Sequence, residues 1–185
     1  MKLSITDNFL IEHQFIALKN VITDNNFHWF YGTYGSGDNP KPTSGTYGSG
    51  DKQSFPGFFY HVIYEDNAVF SPFYDSFNHI LEQLNATVLF RIRINLTPSL
   101  PEPQFADFHS DILGMPEEQL KQWTTSIFYI NSNNGYTEFE DDGKVIESVE
   151  NRLVSFPANI RHRMVTQTDG EPRILINFNY LNGKK

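Results

Sequence analysis

A histidine and an aspartate stand two positions apart in the segment FHSD, as His109 and Asp111. In an extended strand they point to the same face, because side chains alternate between the two faces with a period of two. Two residues of strand span about 7 Å, which suits two ligands of one metal ion. A chain with 6 histidines and 22 acidic residues contains such pairs by chance. The pair is therefore only a starting point.

A third candidate ligand is His162, in the segment NIRHRMV. The chain has no cysteine, which excludes a thiolate metal site, a disulfide framework and a cysteine nucleophile. If the fold brings the strands of His109, Asp111 and His162 together, they form a two-histidine, one-carboxylate set that binds iron(II) and leaves coordination positions open. A histidine between two arginines also fits an exposed strand, so both interpretations stand at this point.

Arg173 begins the segment RILINFNY, in which polar and apolar residues separate with a period of two. One face carries Arg173, Leu175, Asn177 and Asn179, and the other carries Ile174, Ile176, Phe178 and Tyr180. The apolar face predicts core. An arginine on the polar face either meets solvent or lines a wet pocket, where it can bind a dicarboxylate through paired charge-assisted hydrogen bonds. Arg91, Arg93 and Asn95 share one face of another predicted strand in the same way, and Arg93 is the second candidate for such an anchor.

Two helices and a series of short strands must position these residues. Asp7 is predicted to cap a helix from about Asn8 to Ile22, and Ser71-Pro72 to open a second helix with an apolar stripe from Phe73 to Leu84. The predicted strands are Phe58 to Tyr64, Thr87 to Leu96, Phe105 to Ser110, Thr124 to Asn131, Tyr136 to Glu140, Lys144 to Val149, Arg152 to Phe156, Ile160 to Thr168 and Arg173 to Tyr180. Turn residues Asn133-Asn134-Gly135 and Asp141-Asp142-Gly143 predict a meander of three antiparallel strands around them. Many short strands with few helices favour a mainly β (α+β) sandwich or jelly roll.

A glycine-rich stretch separates the two helices, and it contains the sequence GTYGSGD twice, at Gly32 to Asp38 and at Gly45 to Asp51. Two copies are too few for a solenoid. So much glycine and proline excludes regular structure, and the stretch is either a lid over a site or an inert duplicated loop. A length of 185 residues fits a single domain. We expect a helical scaffold with the glycine-rich loop over about 1–86 and the jelly-roll core over about 87–181.

The segment TSIFYINSNNGYTEFEDDGKVIESVENRLVSF links FHSD to NIRHRMV, and PRILINFNY follows. In order and spacing these four segments resemble the C-terminal half of the 2-oxoglutarate and iron(II) oxygenases, particularly the prolyl-4-hydroxylase-like group and its small phage-encoded members. The resemblance covers roughly the last half of the chain, and the GTYGSGD repeat has no counterpart in it. It implies a double-stranded β-helix, or jelly roll, with supporting N-terminal helices.

The resemblance also implies roles for individual residues. It implies iron ligands at His109, Asp111 and His162, contacts of Arg173 and Tyr129 with the distal carboxylate of 2-oxoglutarate, and a position for Asn177 near the cosubstrate. The cofactors implied are iron(II), 2-oxoglutarate as cosubstrate and O2, and ascorbate fits as an added reductant. The expected reaction is hydroxylation with release of succinate and CO2. Halogenating relatives carry a small residue where Asp111 stands, so halogenation is not expected.

The expected partner is a small molecule or a peptide, and the family likeness favours a peptidyl or free amino acid, with proline as the first candidate. A formal charge of -8 opposes binding to a phosphate backbone, so a nucleic-acid-base dioxygenase is the less favoured alternative. A jelly roll that binds a partner without catalysis is the other alternative. The sequence has neither a signal-peptide pattern nor an apolar run of about 20 residues, so we expect a cytoplasmic protein without a membrane partner. The oligomeric state stays open.

Overall fold

The computed structural model describes residues 3–32 and 57–183. Within these ranges the chain forms eleven β-strands, three α-helices and one 3-10 helix. The strands are β1 (Ser4–Thr6), β2 (Phe30–Gly32), β3 (Phe58–Glu65), β4 (Ala68–Val69), β5 (Ala86–Thr97), β6 (Thr124–Tyr129), β7 (Tyr136–Phe139), β8 (Val145–Glu147), β9 (Leu153–Pro157), β10 (His162–Val165) and β11 (Arg173–Asn182). The helices are α1 (Glu12–Thr23), α2 (Asn78–Leu84) and α3 (Glu117–Leu120), and the 3-10 helix spans Tyr74–Phe77. All of the GTYGSGD repeat except Gly32 lies outside the described residues, and with it the choice between a lid and an inert loop.

Helix α1 begins later than the sequence predicts. Its N-cap is Ile11, with no side-chain hydrogen bond to the first turn, so the prediction of a cap at Asp7 is wrong. Asp7 instead forms an ion pair with Arg152, at 2.6 Å from its Oδ1 to Nε of the arginine. Asn8 has a φ of 51°, which turns the chain before the helix. A charge-assisted pair with a distant arginine therefore replaces the local cap.

The second helical segment is shorter than predicted. A helix does not open at Ser71; the 3-10 turn precedes α2 instead. The Ser71 hydroxyl accepts a hydrogen bond from the backbone N–H of Phe73 at 3.2 Å and contacts Nε2 of His61 at 2.8 Å. The predicted apolar stripe is present, since Phe77, Ile80 and Leu84 are buried.

Eight strands of the described chain form one sheet, in the order β1-β9-β6-β11-β5-β3-β2, with β4 paired to β3. Its central strands are β6, β11 and β5, and each pairs antiparallel with its neighbours. Strands from the first 86 residues, β1 to β4, therefore belong to the same sheet as the later strands. This sheet is the larger of the two sheets in the described residues.

A second, three-stranded sheet has the order β10-β7-β8. The hairpin between β7 and β8 confirms the turn predicted at Asp141-Asp142-Gly143, where Gly143 has a φ of 65°. The predicted hairpin between β6 and β7 is wrong, because these strands lie in different sheets. Every residue of β6 is buried, so this strand requires a neighbour on both edges and finds them in β9 and β11.

The predicted strand from Phe105 to Ser110 is present only as two isolated bridges, Phe105 to Val165 and His109 to His162. Both bridges join it antiparallel to β10, so the segment lies along the free edge of the smaller sheet.

The two sheets enclose one apolar core, and the helices cover the outer face of the larger sheet with a second core. The inner core is formed by Ile127, Tyr129, Phe139, Ile146, Val154, Phe156 and Leu175. On the outer face the side chains of β11 that were predicted as core, Ile174, Ile176, Phe178 and Tyr180, pack with α1 and α2. This arrangement is a jelly roll, a double-stranded β-helix with supporting helices, as the sequence predicts. Among the described residues no helix is long and apolar enough to span a membrane.

Candidate metal centre

His109, Asp111 and His162 converge in the space between the two sheets. His109 ends the segment that runs along β10, Asp111 follows two residues later, and His162 is the first residue of β10. The bridge between His109 and His162 places the two imidazoles side by side, with ring centroids 5.0 Å apart. Asp111 and His162 are buried, and the His109 side chain keeps 31 % of its surface exposed.

The three side chains offer ligand atoms that surround one point. Oδ1 of Asp111 lies 3.7 Å from Nε2 of His109 and 3.7 Å from Nε2 of His162. All three potential ligand atoms lie within 4.8 Å of one another, and within the described residues this is the single group of that kind. Ligand atoms held about 2.0–2.2 Å from one ion lie roughly 3–3.6 Å apart. The two Asp111 separations of 3.7 Å slightly exceed that range, so the ligand atoms would draw together by a few tenths of an ångström around a shared ion.

Backbone carbonyl oxygens orient both imidazole rings. Nδ1 of His109 lies 2.9 Å from the carbonyl oxygen of Asp107, and Nδ1 of His162 lies 3.3 Å from that of Ile160. A carbonyl oxygen only accepts hydrogen bonds, so Nδ1 of each ring carries the proton. A neutral imidazole in this tautomer presents the Nε2 lone pair, and in both rings Nε2 faces Asp111.

The Asp111 carboxylate is held from behind by Asn179, a residue that the sequence reasoning did not assign to the site. The Asn179 amide nitrogen donates to Oδ2 of Asp111 and to the hydroxyl of Thr125, each at 3.0 Å. Arg91 donates from Nη2 to the Asp111 carbonyl oxygen at 3.1 Å. These contacts leave Oδ1 directed at the two histidines. The only sequence signal for Asn179 was its position on the polar face of β11, the face that also carries Arg173.

Burial and charge set the protonation of the cluster. Burial lowers the pKa of His162 from 6.5 to about 4 against the opposing charge of Asp111, so the imidazole is neutral near pH 7. Burial alone raises the pKa of Asp111, but its electrostatic interactions with His162, Arg91 and His109 and the Asn179 hydrogen bond together lower it below its ordinary value. Asp111 is thus a carboxylate at neutral pH. An unprotonated imidazole and a carboxylate are the forms that bind a metal.

The donor set fits iron(II). Two imidazole nitrogens and one carboxylate oxygen on one side of an ion are the protein ligands of non-haem iron(II) oxygenases, and they leave the remaining positions for other ligands. The outer contacts of such ligands are present, since each histidine meets a carbonyl oxygen and the aspartate meets an amide.

A cavity of about 650 Å³ extends from this cluster between the two sheets. Arg173, the first residue of β11, lines it and is itself only 1 % exposed. Its guanidinium donates from Nε to the Ser148 hydroxyl at 2.8 Å and from Nη2 to the Thr137 hydroxyl at 3.0 Å. Burial of a permanent cation in a cavity, with neutral hydroxyls as the hydrogen-bond partners just named, suits an anionic ligand.

The other predicted site residues take different positions around Arg173. Asn177 lines the cavity on β11. Tyr129 is fully buried and is not among the cavity-lining side chains; its hydroxyl contacts that of Thr137 at 2.8 Å, and the Arg173 guanidinium lies 5.5 Å from its ring centre. Burial raises the pKa of the Tyr129 phenol. Thr137, which sequence reasoning missed, lines the cavity and contacts both Tyr129 and Arg173.

Strand β5 supplies the cavity wall opposite β10. Arg91, Arg93 and Asn95 all line the cavity, which decides between a pocket wall and a solvated face, the two interpretations that the sequence left open. Arg91 also forms an ion pair with Glu65 at 3.7 Å. The guanidinium carbon of Arg93 lies 4.4 Å from the ring centre of Tyr60.

Comparison with solved structures finds the same fold in iron(II) oxygenases. The chain superimposes on an oxidoreductase of the 2OG-Fe(II) oxygenase family from Burkholderia pseudomallei with a TM-score of 0.66 and 14% identity, over 98% of this chain and 86% of that one. The fold is that of the 2-oxoglutarate and iron(II) oxygenases. A prolyl-4-hydroxylase from Pseudomonas putida gives a TM-score of 0.60 at 14% identity, over 98% of this chain and 93% of that one.

A prolyl hydroxylase from Trichoplax adhaerens, in complex with a hypoxia inducible factor peptide fragment, gives a TM-score of 0.60 at 14% identity. The match covers 97% of this chain and 83% of that one. No family model matches the sequence, and no curated protein matches it. The similarity is therefore one of fold.

Proposed function

We propose that the protein is an iron(II)- and 2-oxoglutarate-dependent dioxygenase that hydroxylates a peptidyl or free amino acid, with proline as the first candidate. In this proposal residues 1–185 are a single oxygenase domain. The observation that carries it is the convergence of His109, Asp111 and His162 at the mouth of a cavity that contains a buried arginine.

His109, Asp111 and His162 would hold the iron through the two Nε2 atoms and Oδ1. When bound, iron(II) with 2-oxoglutarate activates O2 for hydroxylation of a C–H bond, with release of succinate and CO2. The chain contributes position and charge. Asn179 occupies Oδ2 of Asp111 and so reserves Oδ1 for the metal. The neutral state of His162 keeps its Nε2 available without competition from a proton near pH 7.

Arg173 would bind the distal carboxylate of 2-oxoglutarate. Its two hydroxyl partners, Ser148 and Thr137, fix the guanidinium plane against the cavity wall. Tyr129 supports this contact through the Thr137 hydroxyl. Asn177 lies further along the same face of β11 and would contact the cosubstrate from the side.

An amino-acid substrate is supported by two of the structural neighbours, which are prolyl hydroxylases, one of them bound to a peptide. The formal charge of -8 favours this class over a nucleic-acid substrate. Charged side chains near the mouth, among them Glu65, Asp107 and Arg161, would meet the substrate backbone or its neighbouring residues.

The test of the proposal is the absorption band that iron(II) and 2-oxoglutarate give together in the absence of O2. We expect the band in the unchanged protein, and we expect its loss in His109→Ala and Asp111→Ala. In the presence of O2 both variants should lose succinate formation. Lys121→Ala serves as the control, because Lys121 lies on the surface beside Glu117 and Glu118. Normal succinate formation in either ligand variant, or no band in folded unchanged protein, contradicts the proposal, and the second result favours a non-catalytic jelly-roll module.

The substrate is tested separately with a panel of proline-rich peptides and free amino acids. Mass spectrometry should detect the gain of one oxygen in a member of the panel, dependent on 2-oxoglutarate. Succinate formation without a gain of oxygen in any member would retain the oxygenase and contradict the amino-acid substrate.

A further inference from the structure

The segment that delivers His109 contains a β-bulge. Phe105 pairs with Val165, the backbone N–H of Ala106 donates to the Met164 carbonyl at 2.9 Å, and His109 pairs with His162 through two hydrogen bonds of 2.9 and 3.0 Å. From the Ala106–Met164 contact to the His109–His162 pair, the segment covers three residues while the antiparallel strand β10 covers only two. Asp107 and Phe108 therefore lie together opposite the single residue Arg163.

The orienting contact of the His109 ring comes from a residue of the bulge. In a regular strand the chain advances about 6.6 Å over two residues, which carries the carbonyl oxygen of residue i−2 away from the ring of residue i. His162 makes the same kind of contact with Ile160, which lies before the first residue of β10 and so also outside a regular strand. Here the Asp107 carbonyl oxygen lies 2.9 Å from Nδ1 of His109. The extra residue bends the chain back on itself. The bulge thus directs Nε2 of His109 toward Asp111.

Arg163 is packed against the bulge from the side opposite the cavity. Its guanidinium carbon lies 4.2 Å from the ring centre of Phe108 and 4.9 Å from that of Phe105. Glu138, its cross-strand neighbour on β7, accepts from Nε at 2.8 Å and from Nη2 at 2.7 Å. Three-quarters of the Arg163 side chain is buried, with 25% exposed. A planar cation between two rings and a carboxylate fixes the outer side of the bulge.

A second arginine holds the inner side. Arg161 donates from Nη2 to the Phe108 carbonyl oxygen at 2.6 Å and forms an ion pair with Glu140. Arg161 precedes β10 and lines the cavity. Arg163 points away from the cavity, because its neighbours on β10, His162 and Met164, both line it and adjacent side chains of a strand point to opposite faces. Arg163 therefore reaches the His109 side of the metal centre through Phe108 of the bulge, whose ring it contacts.

We infer that Arg163 is a positioning residue for the metal centre, which it serves by holding the Asp107-Phe108 bulge and through it the His109 imidazole. This inference rests on the proposed iron(II) function. Removal of the guanidinium frees Phe105 and Phe108 from their shared partner, and the Asp107 carbonyl then no longer fixes the ring of His109. The expected result is a metal site with one loosely held ligand.

The experiment compares Arg163→Leu and Arg163→Lys with the control Arg152→Leu. Arg152 also forms an arginine–carboxylate pair, with Asp7, and it lies outside the cavity wall. Iron(II) affinity is measured anaerobically, the cobalt(II) absorption spectrum reports the coordination, and melting of the metal-free protein reports folding. We expect Arg163→Leu to weaken iron(II) binding by about 10- to 100-fold, the range found for outer contacts of metal ligands, with an altered cobalt(II) spectrum. Arg163→Lys keeps the charge near Glu138 but lacks the planar face, so an intermediate loss is expected.

The control should bind iron(II) as the unchanged protein does. Equal iron(II) affinity and equal cobalt(II) spectra in the folded Arg163 variants and the control overturn the inference while leaving the proposed function intact. Failure of the unchanged protein to bind iron(II) overturns both. If Arg163→Leu does not fold, Arg163→Lys decides by the same two measurements.

Discussion

The buried guanidinium of Arg173 has its charge within the cavity and hydroxyl groups at its sides. It donates hydrogen bonds to the hydroxyls of Ser148 and Thr137, which carry no charge. An anion that enters the cavity meets a cation that has already lost its hydration, so the interaction is stronger than the same contact at the surface. This is the residue on which recognition of a dicarboxylate depends.

We predict that Arg173→Lys and Arg173→Ala raise the 2-oxoglutarate concentration needed for the anaerobic iron(II) band. Charge-assisted hydrogen bonds contribute roughly 1.5–3 kcal/mol, which corresponds to about a 10- to 150-fold increase. Iron(II) affinity without 2-oxoglutarate should stay unchanged, because the guanidinium is not among the metal ligands. Arg152→Ala, at an arginine outside the cavity, is the control. An unchanged 2-oxoglutarate requirement would move the anchor to Arg93.

Asn179 controls which oxygen of Asp111 is offered to the metal, because its amide bridges Oδ2 and the Thr125 hydroxyl. We predict that Asn179→Ala weakens iron(II) binding by about 10- to 100-fold. Asn179→Asp should weaken it further, since a second carboxylate would repel the Asp111 carboxylate in a buried site. Both effects are measured by anaerobic iron(II) titration.

The matched control is Asn182→Ala, an exposed asparagine at the end of the same strand. It should bind iron(II) as the unchanged protein does. Full affinity in Asn179→Ala would mean that Arg91 alone is sufficient to hold Asp111.

Among the structural elements, the chain immediately before α1 is bound to the sheet by Asn151, a side chain that lies just before β9. Asn151 accepts from the Leu10 N–H at 2.9 Å and donates to the Leu10 carbonyl at 2.8 Å, and it is buried. Its φ is 59°, a conformation that asparagine tolerates better than most residues. The contact fixes the chain immediately before α1.

We predict that Asn151→Ala lowers the free energy of unfolding by about 2–4 kcal/mol, through two lost buried hydrogen bonds and the positive φ. Asn151→Gly loses the hydrogen bonds but accepts the φ, so it should be less destabilising by roughly 1 kcal/mol. Asn67→Ala is the control, since Asn67 is exposed with a φ of 58°. Urea unfolding measures all three variants. A decrease in the free energy of unfolding for Asn151→Ala no larger than that for Asn67→Ala would contradict the stabilising role of the two Asn151–Leu10 hydrogen bonds.

Local patterns predicted those elements whose burial is regular. The period of two along β11 separated its core face from its cavity face correctly, because a strand buried in a sheet exposes alternate residues to different surroundings. The turn residues Asp141-Asp142-Gly143 predicted the β7–β8 hairpin, and the many short strands with few helices favoured the jelly roll. The start of α1 was wrong because Asp7 finds its partner, Arg152, 145 positions away in the sequence.

The candidate site also contains some residues that a local pattern predicts and others that only the pairing of distant strands brings together. His109 and Asp111 are joined by a local spacing that a sequence displays. Thr137, Ser148 and Asn179 reach the site only because strands that are distant in sequence pair in one register. The bulge before His109 depends on a pairing register too, and no period along the chain encodes it.

At the scale of the whole molecule, the packing of the two sheets buries the side chain of His162. The pKa of His162 is lowered to about 4 in the folded protein, first by burial. In the unfolded chain the same imidazole takes up a proton near its ordinary value of 6.5. Above pH 6.5 the His162 imidazole is unprotonated in both the folded and the unfolded state, so it contributes no pH dependence to the stability in that range. Between pH 6.5 and about 4 only the unfolded chain binds the proton, and stability falls as the pH falls.

We therefore predict that the metal-free protein loses stability below pH 6.5, at up to about 1.4 kcal/mol for each pH unit and roughly 3 kcal/mol by pH 4. Urea unfolding after treatment with a chelator, at pH 7.0, 6.0, 5.0 and 4.5, measures the slope. His162→Gln should remove this part of the slope, because glutamine does not titrate. Asp111 does not interfere, since its lowered pKa confines its own contribution to pH values below 3.8. Equal slopes in His162→Gln and the unchanged protein would mean that His162 is accessible to protons in the folded state, and that the cavity between the sheets is wetter than its burial indicates.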